Sequence, residues 1–192
     1  LILTSTGNGT CNAVRDTMKL SFSSAPTADA GLNSTVCANN PNLTLNGAVT
    51  IATGGQWTAG GSFNPNNTKL NAIYTPSAGE ISAGTAKLIL TTTGNGACNA
   101  VRDSIILAIT ATHLVEAGLN DTVCFNNPAV NLNGSVSGIT NKGIWIGGTG
   151  NHNPNDSTLN ATYTPSGAEI SAGFVTLTLR SRNNGLCNVV TD

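Results

Sequence analysis

Leu1–Asp16 reads LILTSTGNGTCNAVRD, and Leu88–Asp103 reads LILTTTGNGACNAVRD. Two such runs, offset by 87 residues, are an internal repeat, and a repeat constrains the architecture before any single residue does. The same offset carries Ala30-Gly31-Leu32-Asn33 to Ala117-Gly118-Leu119-Asn120, and Cys37 to Cys124. Trp57 then matches Trp145 at offset 88, and Tyr74-Thr75-Pro76 matches Tyr163-Thr164-Pro165 at offset 89. Small insertions near Gly138–Gly143 and Gly147–Asn151 account for the drift. The 192 residues therefore divide into the C-terminal strands of a preceding repeat (1–24), one whole repeat (25–111) and a third repeat with its last strand truncated (112–192). Leu1-Ile2-Leu3-Thr4 reads as the middle of a strand, so the chain is expected to be cut from a longer one. A unit of this length is too long for a solenoid rung and suits a sandwich domain of ~100 residues.

Within the middle repeat, Thr35–Cys37 ends a first strand and Asn39-Asn40-Pro41-Asn42 turns the chain. Leu43-Thr44-Leu45 begins a second strand by period-2 alternation. Gly54-Gly55 reads as a turn before a third strand, Gln56–Ala59, which carries Trp57. Leu70–Thr75, Thr85–Thr93 and Ser104–Thr110 follow, the last two joined across Asn95-Gly96, a hairpin signal. Ala86, Leu88 and Leu90 fall on one face of their strand and Lys87 on the other. Seven short strands separated by turns predict an all-β fold, with immunoglobulin-like β-sandwiches arranged end to end as a rod. Trp57, Trp145, Tyr74 and Tyr163 are expected in the core. One helical turn interrupts each repeat: Ser77-Ala78-Gly79-Glu80 and Ser166-Gly167-Ala168-Glu169 both have capping-box spacing. Ser77, Glu80, Ser166 and Glu169 are accordingly read as helix caps in preference to calcium ligands. The linkers Ser23-Ser24-Ala25-Pro26 and Thr110-Ala111-Thr112-His113 are short, which predicts a stiff chain of domains.

Composition restricts function. Charged residues make up 9% and net charge is -1, well under the ~25% charged content of ordinary soluble domains. Lys and Arg form no run, so the grip on phosphates that nucleic-acid binding needs is missing. No apolar run approaches the ~20 residues of a membrane helix, so no membrane insertion is expected in this segment. His113 aligns with Pro26, and His152 with Phe63, so neither histidine recurs between repeats. No Cys-x-x-Cys, EF-hand spacing or phosphate loop is present. No enzyme, no metal and no cofactor are read from this sequence.

Three runs carry a family resemblance: TVCANNPNLTLNG (Thr35–Gly47), NPNNTKLNAIYTPSAGEISAG (Asn64–Gly84) and LTTTGNGACNAVRD (Leu90–Asp103). Together they resemble the immunoglobulin-like repeats of giant surface proteins of Bacteroidota, of which the SprB-type gliding-motility adhesins are the best-known example. The resemblance covers essentially the whole chain. It implies export by the type IX secretion system, display on the outer membrane at the cell surface, and a filamentous adhesin that supports attachment and gliding. The implied partners are neighbouring repeats of the same chain and surface polysaccharide or substratum. A purely structural stalk with no binding surface is the alternative, and a carbohydrate-binding module the weaker one, since aromatic residues make up only 4%. The resemblance also implies O-glycosylation at Asp-Ser/Thr followed by a small or aliphatic residue. Thr17, Ser104 and Thr122 fit that pattern, and Ser157 fits it loosely.

Five cysteines remain: Cys11, Cys37, Cys98, Cys124 and Cys187. Outside the cytosol such residues form disulfides. Pairing within a repeat would join Cys37 to Cys98 and Cys124 to Cys187. Strand parity argues otherwise. Cys37 lies by the turn between the first two strands, and Cys98 by the hairpin between the last two, at opposite poles. Those poles are ~25 Å apart by strand length, whereas bridged Cα atoms lie within ~7 Å. In an end-to-end rod, Cys37 instead faces Cys187 across the domain boundary. Cys11, Cys98 and Cys124 would then pair outside the window. A nonstandard strand order reverses the parity, so both pairings stand at this point.

Overall fold

The computed structural model describes residues 1–192. A short hairpin comes first, β1 (Ile2–Thr4) against β2 (Arg15–Thr17). The middle repeat runs β3 (Thr27–Asp29), β4 (Ser34–Cys37), β5 (Leu43–Thr44), β6 (Ala48–Thr50), β7 (Gly54–Thr58), β8 (Ser62–Asn64), β9 (Ile73–Thr75), α1 (Ala78–Ala83), β10 (Thr85–Thr93) and β11 (Arg102–Thr110). One sheet has the order β4-β11-β10-β7, with β4 parallel to β11 and the other pairs antiparallel. The opposing layer is made by β3-β6 and by β5-β9-β8. Between the layers lies a core of 12 buried residues, including Trp57, Tyr74, Leu88, Leu90 and Leu107. Alternation places them there. On β10 the residues Ala86, Leu88, Leu90 and Thr92 point inward while Lys87 faces water, as a half-buried strand requires.

The third repeat copies this plan through β12 (Leu114–Glu116), β13 (Val130–Asn131), β14 (Ser135–Ser137), β15 (Gly143–Ile146), β16 (Asn151–Asn153), β17 (Thr162–Thr164), α2 (Gly167–Ala172) and β18 (Thr178–Ser181). Its registers are those of the middle repeat. Leu90 pairs with Trp57 as Leu179 pairs with Trp145, and Phe63 pairs with Tyr74 as His152 pairs with Tyr163. The β1–β2 hairpin repeats the β10–β11 register too: Leu3 faces Asp16 as Leu90 faces Asp103. The third core is smaller, with four buried residues, Val115, Val136, Trp145 and Leu179. The chain is thus mostly β, with two helices of six residues each, and none of its helices is long and apolar enough to cross a membrane.

Three local expectations change. The first strand is split, β3 joining one sheet and β4 the other, and the second breaks into β5 and β6. Gly54 and Gly55 lie inside β7 instead of forming a turn. Space explains Gly55: a Cβ there would stand 2.9 Å from both Leu70 Cδ2 and Leu90 Cδ1. Space also explains the interruption between β5 and β6, because Gly47 lies under the indole. A Cβ on Gly47 would meet Trp57 Cζ2 at 2.7 Å, and one on Gly134 would meet Trp145 Cζ2 at 2.7 Å. Along the same edge each indole is held by a hydrogen bond, Nε1 donating to Leu70 O at 3.3 Å and to Leu159 O at 3.1 Å.

This packing makes Gly47→Ala destabilising by about 1–3 kcal/mol, the usual cost of overfilling a close-packed core. Gly79→Ala is its control. A Cβ at Gly79 meets nothing within 4 Å, so helix propensity makes that change neutral or stabilising by up to about 1 kcal/mol. Urea denaturation followed by tryptophan fluorescence compares the two, and equal midpoints would contradict the packing argument.

Candidate functional site: the junction between repeats

Where the middle repeat meets the third, two loops converge on the linker. β4 runs parallel to β11 and ends level with it, Cys37 opposite Thr110. Cys37 therefore stands where the chain leaves the middle repeat. The hairpin loop after β18 brings Cys187 to the facing pole of the third repeat. The two sulfurs are bonded, with Cα atoms 5.0 Å apart across 150 residues of sequence. Both lie beside one linker carbonyl, Ala111 O, at 3.9 Å from Cys37 Sγ and 3.8 Å from Cys187 Sγ. Cys98, the cysteine that parity sets at the far pole from Cys37, is unpaired, as are Cys11 and Cys124.

A clasp of amides surrounds the bond. Asn188 N donates to Asn39 Oδ1 at 3.0 Å and Asn188 Nδ2 to Asn39 O at 2.8 Å. In return Asn39 Nδ2 donates to Asn188 O at 3.1 Å, and Asn40 Nδ2 to Leu186 O at 3.3 Å. Asn39 and Asn40 sit in a run that the sequence marks only as a turn, so their role at a boundary has no local signal. The histidines are explained by substitution. His113 is buried in the place that the buried Pro26 holds one repeat earlier. His152 packs on Tyr163 at 4.7 Å between ring centroids, as Phe63 packs on Tyr74 at 5.0 Å.

The helix starts form a second polar centre in each repeat. Ser77 Oγ accepts from Glu80 N, and Glu80 Oε2 accepts from Ser77 N. The Glu80 carboxylate also accepts from Gly60 N at 3.1 Å and from the hydroxyl of the buried Tyr74 at 2.8 Å. Tyr74 in turn accepts from Gly61 N at 2.9 Å. Ser166, Glu169, Thr149, Gly150 and Tyr163 repeat the network. Both oxygens of each carboxylate are thus taken by protein donors. Burial pushes both carboxyls up, but the donors outweigh it: Glu80 lies below the ordinary carboxylate value, and Glu169 falls to about 2. Burial and the adjoining carboxylate push the Tyr74 phenol up. No group of three or more His, Cys, Asp or Glu stands together as a metal cluster.

No family model matches the sequence, and no curated protein matches it by sequence. Solved structures match at low identity and low TM-score. The Sidekick-1 immunoglobulin domains 1–4 are 14% identical with a TM-score of 0.40, over 88% of this chain and 47% of that one. Human protocadherin-24 EC1-2 is 9% identical with a TM-score of 0.43, over 88% of this chain and 95% of that one. Drosophila N-cadherin EC1-4 is 10% identical with a TM-score of 0.43, over 88% of this chain and 48% of that one. The chain spans about half the length of the Sidekick-1 and N-cadherin structures.

The carboxyl centres carry a pH dependence of definite sign. A folded carboxyl held below its unfolded value stabilises fully above the unfolded value and loses that stabilisation as pH falls through the folded one. For Glu169 the window runs from 4.5 down to about 2. The native chain's Tm should fall across this window more steeply than that of the Glu80→Gln/Glu169→Gln variant. Parallel curves would remove the two carboxylates from the account.

Proposed function

We propose that the chain is a segment of an exported, surface-displayed filamentous adhesin, in which residues 25–111 and 112–192 are successive links and residues 1–24 end the link before them. One observation carries the reading. The boundary between the middle and third repeats is joined by a covalent bond, Cys37–Cys187, inside a clasp of amides. A covalent tie across a repeat boundary suits a load-bearing chain of links. Disulfides also belong to oxidising compartments, which supports a location outside the cytosol. The SprB-type resemblance supplies the finer reading: type IX export, attachment to the outer membrane, and gliding by adhesion to polysaccharide or substratum.

The spacer alternative is favoured over a carbohydrate-binding module by the aromatic residues. Trp57, Trp145, Tyr74 and Tyr163 are all buried, so the exposed aromatic faces are those of Phe22, Phe125 and Phe174, with no indole or phenol on which a sugar ring would stack. Beads coated with the chain and tested on glycan-coated and bare glass separate the readings. Adhesion above a denatured control supports the adhesin, and ligand-blind beads support the spacer. Junction stiffness is tested in solution. Repeats of about 35–45 Å each, from strands of ~8 residues plus loops, should scatter as a two-link rod. Cys37→Ser should broaden the distance distribution, and an unchanged, already flexible profile would count against the staple.

Thr17, Ser104, Thr122 and Ser157 are all exposed, as O-glycosylation requires, and sugar there would hydrate a surface poor in charge. Intact-mass spectrometry of native material should show hexose-sized additions. A mass equal to the bare polypeptide would end this part of the reading.

A further inference from the structure

The fold gathers cations that the sequence keeps apart. Along β15, Gly143 and Trp145 are buried, so Lys142, Ile144 and Ile146 face outward. Along β18, Leu179 and Ser181 are buried, so Thr178, Arg180 and Arg182 face outward. The register sets Ile144 opposite Arg180 and Gly143 opposite Ser181. Arg182 N donates to Lys142 O at 2.9 Å, which carries the pairing one step further. Lys142 and Arg182 therefore stand side by side at the junction end of the sheet. Arg180 follows on the same face, about 7 Å along the strand by two residues of rise. All three are exposed. Three of the eight Lys and Arg residues of the chain thus share one sheet face.

No carboxylate answers them. The chain has no Asp or Glu from Gly138 to Thr149, nor from Phe174 to Thr191. Asp192 comes next, and it is committed to Ala117 N at 2.7 Å. Like charges directly opposite each other on a sheet repel, and an anion from outside relieves that repulsion. The middle repeat supplies the comparison. At the matching positions it has Gly54, Gln56 and Thr58 on β7, and Thr91 and Thr93 on β10. Its one cation at this end is Arg102, opposite Thr91, where the third repeat has Thr191 opposite Arg180. Arg180 and Ser181 are bordered on both sides, by β15 and by Val190–Thr191, so the patch does not come from an open edge.

We propose that Lys142, Arg180 and Arg182 form a binding site for an acidic polysaccharide whose sugars carry carboxylates. A guanidinium takes a carboxylate through two parallel N–H donors, and cations on both strands hold successive carboxylates of one polymer. Apolar side chains lie among them. Ile144 is half-buried, and Ile146 and Val189 are 38% and 43% exposed, a surface for the C–H faces of sugar rings. The grip is ionic and needs no exposed aromatic ring. A nucleic acid fits less well, because no aromatic side chain stands among the outward residues to stack on a base. The site adjoins the loop that carries Cys187, so a polymer held there is held at the stapled junction.

This inference deepens the adhesin reading by naming the polymer, and its test separates the two. The 192-residue chain, with Cys37–Cys187 formed, is measured against immobilised polygalacturonate, against the fully methyl-esterified form of the same polymer, and against duplex DNA. It should bind polygalacturonate and not the ester, with affinity falling about tenfold between 50 and 200 mM NaCl as a few counterions are released. Lys142→Gln/Arg180→Gln/Arg182→Gln should weaken binding at least about tenfold, through the loss of charge-assisted hydrogen bonds. Lys69→Gln/Lys87→Gln/Arg102→Gln removes the same charge from the middle repeat and should leave binding unchanged. All six side chains are exposed, so both variants should keep the native Tm and the Cys37–Cys187 peptide. No binding by the native chain, equal binding by the two triple variants, or tighter binding to duplex DNA would each overturn the site. Coated beads give the separation. Beads that adhere to a neutral glycan equally well with and without the three cations overturn the site and leave adhesion standing. Beads that adhere nowhere, from a chain whose polygalacturonate binding is lost with the three cations, uphold the site and overturn adhesion.

Discussion

The middle repeat is built around one strand gripped on both edges. β11 pairs parallel with β4 and antiparallel with β10, and its three inward side chains complete the core. Most other features of the repeat are arranged to let that sheet face its partner closely. Gly47 and Gly134 leave room for the indoles. Asp103 and Asp192 accept from Ala30 N and Ala117 N at 2.8 and 2.7 Å, tying the start of the last strand to the first.

Charge does little of this. With charged residues at 9%, polar cohesion falls to amides, hydroxyls and a few carboxylates with dedicated donors. The asparagine clasp is the clearest case, because side-chain amides donate and accept at once and so pair with backbone on both loops. Such contacts are insensitive to salt, unlike surface ion pairs, whose attraction is screened within about 8 Å at physiological ionic strength. Glu80 and Glu169 are the exception that shows the rule. Each is held as an anion by hydrogen bonds from its helix cap, a glycine or threonine amide and a buried tyrosine, without a cation.

The architecture was legible in the sequence because it is periodic at two scales. The repeat offset set the unit, and the period-2 pattern of Ala86, Leu88 and Leu90 set the face of its central strand. The splitting of the first two strands was not legible, since it depends on which sheet each half joins, a long-range matter. Gly54-Gly55 misled for a related reason: a glycine that leaves space for Leu70 and Leu90 looks, in one dimension, like a glycine that turns. At the site, Ser-x-x-Glu spacing carries the local capping bonds but not the bond from Tyr74, which comes from the strand before the helix. Cysteine parity gave two poles and two open pairings. The asparagines gave nothing, because Asn39 and Asn188 are 149 residues apart and each also makes sense as a turn residue.

The place of the staple within its repeat bears on how a filament of such links would carry load. Force that reaches the middle repeat through the linker pulls on the end of β11. The disulfide adds a second path, from the third repeat's hairpin to the end of β4. β4 and β11 are parallel neighbours, and Cys37 is paired with Thr110 at their common end. With both paths engaged, the two strands are drawn in the same direction from the same end, and no relative sliding loads the ladder between them. Without the bond, β11 alone is drawn, and its ladders to β4 and β10 take all the shear. A crosslink from β4 therefore spreads force over two strands of the central sheet, whereas a crosslink within one repeat would leave the boundary itself to a few linker residues and a set of amide hydrogen bonds.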